Sequence, residues 1–181
     1  SARCAKRRSK AVSMFNPVRE ARDKAMAKII EYITVNYAVS DHDAAVAKFR
    51  ALGLSSIAPN VMPDPPAQIV DVTFPLGDQG ALSIIAPTDT SSTVQKFLER
   101  RGEGALSFAV RVDDLDAIMT EWAAHGIEWV LPEPYVFPPG TAAARYKVET
   151  LKANWVRPGS LYGLMLECFE FCGTVEQIDP E

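Results

Sequence analysis

The sequence has few of the side chains that usually carry metal or nucleophilic chemistry. Its 181 residues include two histidines and three cysteines. No glycine loop of the phosphate-binding type precedes a helix, and no Gly-x-Ser-x-Gly elbow occurs. Cysteine and histidine are never spaced as a metal knuckle or as a nucleophilic pair. These absences exclude phosphate-loop proteins, serine hydrolases of the elbow type and zinc-knuckle proteins.

The sequence also lacks a long apolar run and a disulfide framework. No apolar stretch approaches the roughly 20 residues that a membrane-spanning helix needs. The three cysteines are Cys4, Cys168 and Cys172, and the last two lie at even spacing on a predicted strand. We therefore expect buried free thiols, which favour a reducing, intracellular compartment.

Charge is divided unevenly along the chain. Residues 1–28 carry nine Lys or Arg against two acidic side chains, a net of +7, whereas the rest carries a net of −11. The basic arm, residues 1–27, is rich in Arg, Ser and Ala and resembles an organelle-targeting peptide. Three interpretations remain open: a trimmed mitochondrial or plastid presequence, a docking segment, or a vector-derived segment. The arm's first basic residues are Arg3, Lys6, Arg7, Arg8 and Lys10.

One strand–helix unit near the middle of the chain is clearly patterned. From Ala105 to Val112, small or polar residues alternate with large apolar ones, which is typical of a half-buried strand. Asp113 and Asp116 then predict a helix start, and Gly126 predicts the helix end.

The same unit occurs earlier in the chain. A shift of 73 residues superposes residues 33–53 on this segment without a gap. There Ser40 and Asp43 predict the helix start and Gly53 its end. Two copies of one strand–helix unit indicate an internal repeat.

Each copy predicts a strand, a helix and then three strands. The first module spans residues 28–90 and the second spans residues 91–172, followed by a short acidic tail at 173–181. We predict irregular loops at the proline-rich segments 59–66 and 132–140, because proline lacks an amide donor. A connecting helix begins at Thr90–Ser92, and the remaining strands are predicted at residues 69–74, 80–86, 127–131, 146–156 and 161–171.

The predicted fold is α+β, with the two modules forming one curved mixed sheet around a concave cavity. Alternation along the central strands predicts which side chains face this cavity. They are Thr34, Asn36, Ala81, Ser83, Ile85, Ser107, Ala109, Arg111, Met165, Glu167 and Phe169. Glu31 has the opposite parity, so we expect it on the other face.

Three separated segments resemble the vicinal oxygen chelate superfamily, with methylmalonyl-CoA epimerase as the most similar branch. They are Phe97–Ala117, Ser40–Gly53 and Trp155–Glu167. Glyoxalase I lyases and hydroxyphenylpyruvate dioxygenases are related enzymes. The resemblance covers about residues 28–171 and implies a fold of paired βαβββ modules.

The resemblance also implies a divalent metal held by His, Gln or Glu side chains at four positions of the concave face. In this sequence those positions are Thr34, Ser83, Ser107 and Glu167. Hydroxyls are poor donors for zinc, cobalt, nickel or iron, so we expect no metal and no cofactor. The acid/base glutamate implied near Ala67 and Gln68 is missing.

The two histidines do not replace the missing ligands. His42 lies in the first turn of a predicted helix and His125 in the last turn of another. We expect both to be solvated or to complement the helix dipole.

Glu167 has several interpretations. It can be a satisfied polar group, bonded to neighbouring hydroxyls or paired with Arg111. It can instead bind a polar or cationic ligand, or ligate a metal.

Three hypotheses for function follow. The first is a non-catalytic binding or structural subunit that docks to a larger assembly through the basic arm and loops. The second is a metal-independent binder of a small polar molecule, and the third is a divergent metal-dependent epimerase or lyase. We adopt the first, with no catalytic residue.

The expected partners follow from charge and family. We expect a protein partner for the arm, and a membrane-associated organellar complex is a plausible host. The net negative charge of residues 29–181 argues against a surface that binds the phosphate backbone of a nucleic acid. The resemblance also makes a homodimer an open expectation.

Overall fold

The computed structural model describes residues 27–78 and 80–181. The first module contains strands β1 (Ile29–Ala38), β2 (Asn60–Met62), β3 (Ile69–Pro75) and β4 (Ala81–Pro87), with helix α1 (His42–Ala51) after β1. Helix α2 (Thr93–Arg101) connects the modules. The second module contains β5 (Gly104–Val112), α3 (Leu115–Ala123), β6 (Tyr135–Val136), β7 (Ala142–Ala143), β8 (Tyr146–Trp155) and β9 (Met165–Gln177), with a 3₁₀ turn at Pro158–Ser160.

The strands of the described residues form one mixed sheet. Its order is β2-β3-β4-β1-β5-β9-β8-β6, and β7 pairs with β8. In each module the first strand is parallel to the last, β1 to β4 and β5 to β9. An antiparallel β1–β5 pair joins the modules. The predicted α+β fold of paired βαβββ modules is confirmed.

Both repeat helices begin one residue later than predicted. The carboxylate of Asp41 accepts a hydrogen bond from the amide of Ala44 at 3.0 Å, and Asp114 does the same with Ala117 at 2.8 Å. Asp113 is not the cap because its carboxylate accepts from the Lys28 amide at 2.6 Å. The two caps are related by the same 73-residue shift, so the repeat extends to helix capping.

The sequence predicted irregular loops for the two proline-rich segments, but the structure has a short strand in each. Asn60–Met62 pairs with β3, and Tyr135–Val136 pairs with β8. Both are short edge strands between prolines, so no proline has to donate within a ladder. Conversely, the predicted strand at 127–131 is reduced to a single bridge from Trp129 to Val156.

The last strand begins later and ends later than predicted. Residues 161–164 precede β9, and the strand continues past Gly173 to Gln177, which pairs with Tyr146. The segment predicted as an acidic tail therefore begins within the sheet.

The two repeat helices pack on one face of the sheet. In α1, Val46 packs with Phe74 and Ile84, and in α3 Leu115 and Ile118 form a second buried cluster. Because strand side chains alternate, the neighbouring polar residues of these strands face the opposite side. That opposite face holds the candidate site. No helix of the described residues is long and apolar enough to cross a membrane.

Candidate functional site in the concave face

A cavity of about 150 Å³ lies against the concave face of the sheet. The central strands β1, β4 and β9 supply its polar floor, and the segments around Pro66 and Ala143 supply parts of its wall. Of the side chains predicted for this face, the structure places these along the cavity: Thr34, Asn36, Ser83, Ile85, Met165, Glu167 and Phe169. Ser107 lies directly behind this surface, fully buried and bonded to Glu167.

Glu167 is the centre of a buried hydrogen-bond network. Its Oε1 accepts from the Ser107 hydroxyl at 2.6 Å and from the Asn36 amide at 3.1 Å. Asn36 also donates to Ser107 at 3.0 Å. Burial raises the pKa of Glu167, while hydrogen bonds from Ser107, Asn36 and Trp155 act to lower it. All three partners donate to the carboxylate, but burial is the larger effect, so the pKa of Glu167 lies above its ordinary value.

The hydroxyls on the first module form a separate network. Thr34 donates to the Ser83 hydroxyl at 3.2 Å and to the Ala81 carbonyl at 3.1 Å. Ser83 also shares a hydrogen bond of 2.9 Å with Thr73. These side chains therefore satisfy one another, and Glu167 forms a hydrogen bond with neither Thr34 nor Ser83.

Asp71 is a second cavity carboxylate that the sequence reasoning missed. It lies in the middle of β3 and lines the cavity together with Glu167. Burial and, to a smaller extent, the charge of Glu167 raise its pKa to about 7, while the hydrogen bond with the Asn60 backbone acts to lower it. The alternation of Ile69, Asp71 and Thr73 against apolar neighbours was a usable signal, but the predicted concave face omitted this strand.

Arg111 does not line the cavity, contrary to its predicted position. Its guanidinium lies 3.2 Å from Glu31 and 4.8 Å from the ring centroid of Phe171. Glu31 also accepts from the Tyr146 hydroxyl at 3.2 Å. Arg111 thus pairs with Glu31 rather than Glu167.

A β-bulge explains why the predicted parity of Glu31 was wrong. Tyr32 pairs with Val110 but Thr34 pairs with the adjacent Ala109, so Ile33 is an extra residue in β1. One extra residue reverses the alternation before it, which places Glu31 beside Arg111. Simple period-two counting cannot detect this insertion.

The histidines lie away from the cavity. Nδ1 of His42 is 3.3 Å from Asp43 at the start of α1, and its buried Nε2 has no hydrogen-bond partner among the described residues. His125 is exposed after α3. Neither side chain lines the cavity.

The two described cysteines are free thiols. Cys168 is buried on the face of β9 opposite Glu167, and burial, together with the Glu167 charge, raises its pKa to about 12. Cys172 is half-buried, and burial also raises its pKa. Such thiols are poor nucleophiles at neutral pH.

The cavity residues do not fit a divalent transition metal. At the positions aligned by the resemblance, Thr34, Ser83 and Ser107 offer neutral hydroxyls, and these hydroxyls are already hydrogen-bonded. Glu167 and Asp71 remain as carboxylates, one short of the three protein ligands typical of a catalytic zinc site. The concave face therefore lacks the donor set that the resemblance implies.

A cluster of three carboxylates outside the cavity is paired with a lysine. Asp114, Asp116 and Glu170 lie close enough together to share an ion. However, the Lys152 ammonium lies 3.2 Å from Glu170 and 3.4 Å from Asp116. Glu170 additionally accepts from the Leu115 amide at the start of α3. This cluster is a surface ion-pair network.

Comparisons with known proteins agree with this architecture. Residues 34–144, more than half of the chain, match the model of the Glyoxalase/Bleomycin resistance protein/Dioxygenase superfamily. No curated protein matches the chain significantly.

Similar solved structures include two methylmalonyl-CoA epimerases. That of Mycobacterium tuberculosis is 26% identical, covers 80% of this chain and 90% of its own, and has a TM-score of 0.67. A Streptomyces coelicolor variant in complex with 2-nitronate-propionyl-CoA is 20% identical over 81% of this chain and 100% of its own, with a TM-score of 0.67. A hypothetical protein from Bacillus halodurans is 18% identical over 83% and 99%, with a TM-score of 0.66.

The repeated βαβββ modules, the concave cavity and the match to the family model lead to one conclusion. The chain belongs to the glyoxalase/bleomycin resistance/dioxygenase superfamily, the vicinal oxygen chelate family.

Proposed function

We propose that this protein binds a small organic molecule in its concave cavity without a metal ion, and that it is not an epimerase or a lyase. The proposal joins two hypotheses from the sequence, a non-catalytic member of the family and a metal-independent binder. The cavity combines a polar floor with mostly apolar walls, as small-molecule sites usually do.

The observation that carries the proposal is the hydrogen-bonding state of Glu167. Ser107 and Asn36 both donate a hydrogen bond to one of its oxygens. A hydrogen bond from the Trp155 side chain also acts to lower the pKa of this carboxylate. These donors favour the charged form of the carboxylate, but burial is the larger effect, so the pKa of Glu167 lies above its ordinary value. A metal ion at Glu167 Oε1 would have to compete with the hydrogen bonds from Ser107 and Asn36.

The epimerase neighbours do not carry their activity to this chain. Proton transfer at a carbon needs a poised base, a matching acid and stabilisation of the developing oxyanion. Burial raises the pKa of both cavity carboxylates, that of Asp71 to about 7 with a further contribution from the charge of Glu167. No basic side chain of the described residues lines the cavity to stabilise an anion.

Ligand-observed NMR with a library of small fragments tests the proposal. We expect fragments to bind equally in the presence and absence of EDTA, and to lose binding in Met165→Trp, which fills the cavity from the start of β9. Leu76→Trp, at an exposed site on the β3–β4 turn, is the matched control. Binding that needs an added metal ion, or that persists in Met165→Trp, contradicts the proposal.

A structural role in a larger assembly is a second proposal, supported by charge. A segment of net +7 precedes a body of net −11, and such an arm suits docking to an acidic partner. Deleting residues 1–26 retains Ala27, which packs against the cluster around α3. We expect the deletion to abolish co-purification with partner proteins; unchanged co-purification would count against docking through the arm.

A further inference from the structure

We infer that the cavity takes an organic monocation, such as a quaternary ammonium or a protonated amine with apolar substituents. This inference rests on the proposed function of the cavity as a small-molecule site and specifies the chemical class of its ligand. Three observations support it: the charged side chains on the cavity surface are acidic, Asp71 has no side-chain donor among the described residues, and the walls are aromatic and apolar.

The charged groups that line the cavity are both acidic. Among the described residues these are Asp71 from β3 and Glu167 from β9, with no Lys, Arg or His. Two arginines of the second module are engaged elsewhere: Arg111 pairs with Glu31, and Arg145 donates to the carbonyls of the β3–β4 turn. The negative charge of the cavity is therefore not neutralised by the described part of the protein.

The two carboxylates differ in how they are satisfied. Glu167 receives donors from Ser107 and Asn36. The hydrogen bond that acts on Asp71 comes from the Asn60 backbone amide, and among residues 27–78 and 80–181 no side chain donates to it. Asp71 is half-buried, and a carboxylate partly removed from water without a counterion is unfavourable, so a bound cation reduces that penalty.

The walls suit an organic cation rather than an inorganic one. Aromatic rings of Phe137, Trp155 and Phe169 line the cavity, and Met62 and Leu151 add apolar surface. Aromatic faces attract alkylammonium groups, with tryptophan the strongest. A bare metal ion instead needs several convergent oxygen, nitrogen or sulfur donors, and the hydroxyls here are already bonded to one another.

Charge also discriminates against the other ligand classes. An anionic ligand would be buried beside two carboxylates with no basic partner, which costs free energy at short range. A neutral isostere would gain the same apolar contacts but would leave Asp71 without a counterion. The cavity should therefore rank a cation above a neutral molecule of equal shape, and both above an anion.

Three probes of nearly equal shape test this ranking by isothermal titration at pH 8. They are choline, its neutral carbon isostere 3,3-dimethylbutan-1-ol, and the anion 3,3-dimethylbutanoate. We expect choline to bind at least tenfold more tightly than the alcohol, and the anion not to bind measurably. In Asp71→Asn the preference for choline should fall by about tenfold while affinity for the alcohol is retained.

The control is Asp64→Asn, which removes an exposed carboxylate from the loop before β3 without touching the cavity. It should leave the ranking unchanged. If the alcohol binds as well as choline, or the anion binds best, the inference is wrong while the cavity remains a binding site. If none of the three binds but neutral fragments still bind in the fragment screen, the inference is again wrong while the proposed function stands. Loss of all cavity-dependent fragment binding would instead overturn the proposed function.

Discussion

At the scale of single residues, burial is the largest cause of the raised pKa values of the two cavity carboxylates. Asp71 and Glu167 are both acids, yet one is held by side-chain donors and the other is not. The same residues would be ordinary ionised carboxylates on the surface. The apolar walls therefore make Asp71 the sensitive residue of the site.

The raised pKa of Asp71 predicts a pH-dependent stability. Its ordinary value is 3.8 and its value in the fold is about 7. Between these values the folded protein keeps a proton that the unfolded chain has lost. The free energy of unfolding therefore falls as pH rises from about 4 to about 7, and then levels off.

The isosteric variant Asp71→Asn removes this dependence. We expect it to be more stable than the wild type by roughly 2–4 kcal/mol at pH 8, and the difference to shrink toward pH 5. Urea unfolding at pH 5, 6, 7 and 8 measures it, with Asp64→Asn as the exposed control. A difference that stays constant across this range would contradict the burial of an uncompensated carboxylate.

The sequence identified most of these site residues but not which of them contact one another. Alternation placed Thr34, Ser83 and Glu167 on one face because strand side chains have a strict period of two. It missed Asp71 because β3 was not counted among the strands around the cavity. It misplaced Glu31 because the bulge at Ile33 depends on how β1 pairs with β5, which no local pattern reveals.

At the scale of elements, the helices show how closely the two modules repeat. Asp41 and Asp114 cap α1 and α3 in the same way, each accepting from the amide three residues later. The sequence predicted both helices but put their starts one residue early, because several acidic and hydroxyl residues compete at each start. Which of them becomes the cap depends on contacts such as Asp113 with Lys28.

A pair of variants tests the position of the first cap. Asp41→Ala removes the side-chain acceptor for the Ala44 amide, which we expect to cost about 1 kcal/mol of unfolding free energy. Asp43→Ala removes an acidic side chain of the first turn that is fully exposed, with an expected cost of a few tenths of a kcal/mol. Denaturant midpoints compare them, and equal losses would contradict the assignment of Asp41 as the cap.

The edge strands mark the limit of composition-based prediction. The prolines predicted irregular loops at residues 59–66 and 132–140, which was wrong for Asn60–Met62 and Tyr135–Val136. Two- and three-residue strands still form there because the intervening amides pair with β8 and β3. Proline content does not indicate which of the residues between the prolines find a partner strand, so the pairing is seen only in the sheet.

At the scale of the whole molecule, repetition explains the fold and the position of the concave cavity. Two related modules join through the β1–β5 pair and leave one concave face between them. That geometry does not depend on metal ligands, because the packing of α1 and α3 lies on the other face. The cavity can therefore form with hydroxyl side chains on the concave face, as it does here.

The larger context of the protein stays a prediction. The docking of the basic arm, an organellar location and a homodimer all come from the sequence, and the arm up to residue 26 lies outside the described residues. The fold and family are established by the repeat and the comparisons.

The central claim is that the concave face works without a divalent metal. Equilibrium dialysis against cobalt(II), nickel(II) and zinc(II), followed by elemental analysis, tests it most directly, with Glu167→Gln as the matched variant. We predict well under one equivalent of ion and no difference between the wild type and Glu167→Gln. One tightly held equivalent that disappears in Glu167→Gln would contradict the account.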